Sequence, residues 1–170
     1  RSEDSTGQYG KFYSRYAHTA WYQKEVFDNE AMAKKLGFNK VSKLKLHTAK
    51  TIREFVFSGG FLFAMCSATD SYDIALAAEG TDICESMYDH DAANPNAAEQ
   101  LDFSKGFAFE NYQLSNNPYE YEYSNIDTYT TRALKYPITQ RNDRFMLFDF
   151  SAKWDPVPSM LCQNHENNLQ

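Results

Sequence analysis

The segment that most constrains this chain is Ser58-Gly59-Gly60 followed by Phe61-Leu62-Phe63-Ala64-Met65 and then Cys66-Ser67-Ala68-Thr69-Asp70-Ser71. Two glycines stop whatever precedes them, five apolar residues of strand length follow, and a small polar turn comes next. A continuous apolar run of that length predicts a strand buried on both faces, as in the centre of a parallel sheet. Tyr72 to Glu79 then reads as a short Ala-rich helix closed by Gly80. Helix, glycine turn, buried strand, polar turn, helix is the order of an open α/β sheet, whose ligands lie beyond the carboxyl ends of the strands. The turn at residues 66–71 is therefore the expected site.

Upstream, apolar residues from Ala20 to Leu36 recur near the helical period, and Gly37 stands where a helix would end. A second helix is expected from about Ser42, a candidate N-cap, with Leu44, Ala49, Ile52, Phe55 and Val56 on one side. Downstream, Tyr88 to Gln100 reads as an irregular acidic loop. Phe107 to Tyr112, Tyr119 to Tyr123 and Phe145 to Phe150 alternate aromatic and polar residues, a pattern of strands covered on one face.

Composition narrows the function. With 170 residues, 42% of them hydrophobic, the chain is long enough for one domain with a real core. Seventeen basic residues stand against 23 acidic ones, a net charge of -6 that disfavours nucleic acid and anionic lipid as partners. No apolar run approaches the roughly 20 residues of a membrane helix, so no membrane span is expected. A small polar molecule is the expected partner, and neither the oligomeric state nor the compartment is legible. The chain begins with Arg rather than Met and ends in polar residues that close no element, which reads as one domain, 1–170, incomplete at both ends.

Cys66 carries the sharpest chemical expectation. A thiol at a strand-to-helix turn meets the positive end of the helix dipole, which favours thiolate, and free backbone N–H groups there can hold an oxyanion. The bland alternative is a small buried residue ending a core strand. A base must come from His18, His47, His90 or His165, of which His165 lies in a polar segment after a short apolar run and is the best placed. Asp70 and Asp73 flank the start of the next helix, where carboxylates cap N–H groups or meet a ligand. The catalytic candidates are thus Cys66, Ser67 through its backbone N–H, and His165; the substrate-binding candidates are Thr69, Asp70 and Asp73.

Other chemistries find less support. Three cysteines (Cys66, Cys84, Cys162) without C-x-x-C spacing make neither a disulfide framework nor a zinc knuckle. Glu85, Asp89, His90 and Asp91 supply metal-ligand atoms, but in no recognised spacing, so no metal is expected. Ser58-Gly59-Gly60 precedes the apolar run, whereas phosphate-binding glycines follow a strand, so no nucleotide and no other cofactor is implied.

The stretch SGGFLFAMCSATDS resembles the glycine turn, strand and elbow of the class I glutamine amidotransferase-like superfamily. Its ThuA-like branch has a similar GGGFVGIHSATD, with His where Cys66 stands. TGQYGKFYS, FAMCSATDSYDIALAAEG, DICESMYD, LFDFSAKWDPVP and MLCQNHE resemble a bacterial family that carries the name asparagine synthetase B. Members of that family are longer at both ends and have a C-terminal GGHDPE-like motif that is not in this sequence. The resemblance implies a flavodoxin-like three-layer α/β/α fold with a strand-rich second half, and an elbow position for Cys66. It does not imply asparagine synthesis, since residue 1 is Arg rather than Cys and Phe61-Leu62-Phe63 replaces the acidic and hydroxyl residues of an SGGxDS pyrophosphate loop. The expected function is a Cys-dependent hydrolase or amidotransferase-like enzyme. The alternatives are a non-catalytic domain binding a carbohydrate or other small polar ligand, or a structural or interaction module.

Overall fold

A computed structural model of the chain describes residues 5–6, 16–65, 68–115 and 124–126. Helix α1 spans Ala20–Lys35, α2 Val41–Phe57, α3 Ala68–Ala77 and α4, a single turn, Ser86–Asp89. Two short 3-10 turns follow at Ala97–Gln100 and Phe103–Lys105.

The first two helices end in the same way. After α1, the Gly37 amide donates to the Lys34 carbonyl and that of Phe38 to Ala33. After α2, Gly59 donates to Val56 and Gly60 to Phe55. These paired bonds satisfy carbonyls a helix end leaves open, and they need a residue with positive φ at the reversal. Gly37 (φ 84) and Gly59 (φ 95) provide it without a Cβ clash. Phe38 then packs back with Val26 and Leu44 on buried Ala33 and Val41, which closes α1 against α2. The α2 start differs by two residues from the expectation. Its N-cap is Lys40, with no side-chain cap bond, and Ser42 lies inside the first turn.

Helix α3 starts four residues earlier than its alanine pattern suggests and, among the described residues, is packed on two sides. Ala75 and Leu76 meet Ala49 of α2 on one side. Ile74, Ala77 and the following Ala78 meet Ile83, Ala97, Phe109, Tyr112 and Ile126 on the other. Small side chains on α3 let neighbours approach from both sides, which is how a ten-residue helix becomes buried nearly all round.

The expected flavodoxin-like α/β sheet is not what these residues form. Among the described residues there are helices and turns and no strand, with an isolated antiparallel bridge joining Leu114 to Ser124. The run taken for a buried central strand is at the surface: Phe61, Phe63 and Met65 are 71%, 72% and 65% exposed. Apolar continuity measures what a segment gains from burial; it does not supply the neighbouring strands that would bury it. Phe107 to Tyr112, also expected as a strand, is diverted by a different partner. The amides of Phe107, Ala108 and Phe109 donate to the Asp73 carboxylate, so they are not available to a sheet ladder. The strands expected at 119–123 and 145–150 lie outside the described residues. No described helix is long and apolar enough to cross a membrane.

Candidate functional site

The site expected at residues 66–71 is described at its two edges. The Ala68 amide donates to the Met65 carbonyl at 3.2 Å, and α3 begins at Ala68 itself. The described backbone resumes at a helix N-terminus. Cys66 and Ser67 fall between those two residues, and they and His165 lie outside the described residues, as does the Thr69 side chain.

Asp70 and Asp73 are both buried on α3. One helical turn apart, they sit on neighbouring positions of the same face. The Ser124 hydroxyl donates to Asp70 Oδ2 at 3.4 Å, and the Ile126 amide donates to the Ser124 hydroxyl at 3.2 Å. Asp73 works harder. Oδ1 accepts from the Phe107 amide, and Oδ2 from those of Ala108 (3.0 Å) and Phe109 (3.1 Å). Its own carbonyl accepts from the Tyr112 hydroxyl at 3.2 Å. Gly106 makes the approach possible, since a Cβ there would lie 2.9 Å from Asp73 Oδ1.

Burial raises the Asp73 carboxyl from 3.8 to about 6, against the pull of the three amides, which favour the charged form. Tyr112 is likewise pushed up, by burial first and by the Asp73 charge second. The chemical consequence is that Asp73 directs both oxygens at the chain's own backbone. It ties the 107–109 segment to α3 and, through Tyr112, reaches the residues that pair with 124–125. Asp70 and Asp73, expected to flank the start of this helix, both lie inside it, and their described partners are protein groups.

A second charged cluster joins residues far apart in sequence. Lys40, at the N-cap of α2, places its ammonium 3.2 Å from Asp82, 3.1 Å from Asp89 and in contact with Asp91. The three carboxylates lie within 4.8 Å of one another. Partial burial pulls the Lys40 pKa down, but the hydrogen bonds its ammonium donates to Asp91, Asp89 and Asp82 outweigh it and favour the charged form. Burial raises Asp89, while the Lys40 bond lowers exposed Asp91. Of the acidic residues singled out in the sequence, Asp89 and Asp91 belong here. His90 turns away with φ 72 and lies 3.2 Å from Glu30, and Glu85 is the N-cap of α4. Asp82 and Lys40 were not legible as members, because nothing in local spacing marks a lysine some forty residues upstream. Beside the cluster, burial first and Asp89 second push the Cys84 thiol far above its ordinary value, which disfavours the thiolate.

A cavity of about 30 Å³, lined by Thr6, Ser42, Thr81, Asp82 and Cys84 among others, is the size of one water rather than of a metabolite. No family model, curated protein or solved structure matches the chain.

Proposed function

We propose that the chain is a Cys-dependent hydrolase or amidotransferase-like enzyme whose nucleophile is Cys66. The observation that supports this reading is that α3 begins at Ala68, two residues after Cys66, with the Ala68 amide donating to the Met65 carbonyl. A nucleophile just ahead of a helix start lies near the end where free N–H groups and the dipole favour negative charge. The strand that normally leads into such an elbow is not part of the support, since residues 61–65 form none. In this reading Cys66 thiolate adds to a substrate carbonyl, and the Ser67 N–H helps hold the resulting oxyanion. Collapse expels the amine or alcohol, which takes its proton from His165, and water then releases the acyl group by the reverse sequence. Asp73 acts at a distance, by fixing α3 against the 107–109 segment.

Iodoacetamide labelling followed residue by residue by mass spectrometry over a pH range tests this. Cys66 is expected to label while the protein is folded, with an apparent pKa well below the free-thiol value of about 8.5. Cys84, buried, is expected to label only on unfolding. Labelling of Cys66 only after denaturation would remove the nucleophile and with it the proposal.

A further inference from the structure

Around the end of α2 the molecule carries an apolar ridge that its own described residues leave uncovered. Phe55, Phe57, Phe61, Phe63 and Met65 are each between 58% and 72% exposed. The Gly59-Gly60 reversal brings Gly60 back against the Phe55 ring. From Phe61 to Met65 exposure alternates, with Leu62 and Ala64 partly covered, as in an extended chain. The amides of residues 61–65 donate to no group among the described residues.

Two charges border the ridge on adjacent positions of α2. The Arg53 guanidinium lies 4.6 Å over the Phe57 ring, which stacks in turn on Phe107, and its buried Nε has no hydrogen-bond partner. Exposed Glu54 makes no ion pair among the described residues. Lys50, three residues before Arg53, pairs with Glu79 within the molecule. An unpaired cation beside an unpaired anion, at the rim of an exposed apolar stripe, is self-complementary about a two-fold axis. Turning a second copy through that axis sets Arg53 against Glu54 of the partner subunit and lays one ridge on the other.

We infer that the Phe55–Met65 ridge is an isologous interface and that the protein associates through it with a second copy of itself. The area suffices for such contact. Five large side chains about two-thirds exposed hide on the order of 600 Å² a copy, or about 1,200 Å² in the pair. That lies at the lower edge of the range for specific interfaces, so a dimer with micromolar affinity is expected. Free amides along 61–65 add edge-to-edge hydrogen bonds to the apolar contact. This inference is independent of any chemistry at Cys66.

Sedimentation equilibrium of the full chain from about 1 μM to about 1 mM tests it, with circular dichroism of each variant as the check on folding. The wild-type mass is expected to rise from monomer to dimer across that range. Phe63→Glu, on a side chain that is 72% exposed, is expected to keep the helix signal and weaken association at least tenfold. Arg53→Glu alone should weaken it, and Arg53→Glu combined with Glu54→Arg should restore it, because the swap re-forms the same cross-pair. A chain that is monomeric at every concentration overturns the inference and leaves the ridge to another polypeptide. A dimer that survives Phe63→Glu overturns it too, because the contact then lies elsewhere.

Discussion

Two neighbouring stretches of this chain reverse the usual rule of apolar inside and charged outside. Residues 55–65 are rich in Phe and lie at the surface, whereas α3, a few residues on, buries Asp70 and Asp73. The difference lies in what each stretch finds within reach. Asp73 meets three amides and a space cleared by Gly106, so its charge is held by hydrogen bonds that replace water. Apart from Phe57, which stacks on Phe107, and Phe55, which meets Gly60, the ridge side chains stay largely exposed, and the hydrophobic effect, being non-directional, finds little there to press them against. Burial follows available partners as much as residue type.

The largest expected effect is on the α3 side. Phe109 is buried beneath Ile74 and Ile126, and Phe109→Ala is expected to cost about 4 kcal/mol of unfolding free energy through lost contacts and the cavity left behind. Urea melts monitored by helix signal measure it. A loss below about 1 kcal/mol would show that this core is loosely packed and would break the contrast with the ridge.

Next is Asp73 itself. Asp73→Ala strands three amides near α3 and is expected to cost about 3 kcal/mol, with Asp73→Asn losing less because its carbonyl oxygen still accepts. The pH dependence has a definite sign. The folded carboxyl is raised from 3.8 to about 6, so the folded state binds this proton more tightly than the unfolded chain does. Its contribution is fully present below about pH 4 and is lost as pH rises through 6, on the order of 3 kcal/mol across the window at about 1.4 kcal/mol per unit. Stability of wild type minus Asp73→Asn, plotted against pH, should therefore fall between those values. A difference that rises with pH would mean that the amides outweigh burial and hold Asp73 as the anion.

Some of this organisation could be read from the sequence, and the reason is locality. Gly37 and the Gly59-Gly60 pair mark helix ends because a positive φ is a property of one residue. The near-helical period placed α1 and α2 to within two residues. What failed depended on distant partners. The Phe61–Met65 run has the composition of a buried strand, yet strand formation requires neighbours that no local pattern reveals. Phe107 to Tyr112 has strand periodicity, yet a carboxylate some 35 residues away takes its amides. Asp73 was legible as a capping or ligand-binding residue near a helix start, but not that the amides it holds would belong to a segment some 35 residues on. The Lys40 cluster joins α2 to a loop more than forty residues on and has no local signature at all.

Lys40 gives a smaller and more electrostatic effect. Lys40→Met keeps the stem and removes the charge, leaving Asp82, Asp89 and Asp91 to repel one another across less than 5 Å. About 2 kcal/mol of destabilisation is expected, because Asp89, the most buried of the three, loses its counter-charge. Raising the salt concentration should narrow the gap between variant and wild type, since screening relieves the repulsion in the variant. Melting temperatures at low and high salt decide it. A gap that does not respond to salt would assign the loss to packing of the lysine stem.

The smallest expected effect completes the contrast. Phe63 carries as many apolar atoms as Phe109, yet it is 72% exposed where Phe109 is 1% exposed. Phe63→Ala in dilute protein, where the chain is a monomer, is expected to change stability by no more than about 0.5 kcal/mol. At high concentration, where a dimer adds the free energy of association to the folded state, the same substitution should lower the melting temperature. The two measurements separate what Phe63 does for its own chain from what it does for a second one. A loss comparable to that of Phe109→Ala in dilute solution would mean that Phe63 is buried in the folded monomer. The contrast between an uncovered ridge and a packed α3 would then fail.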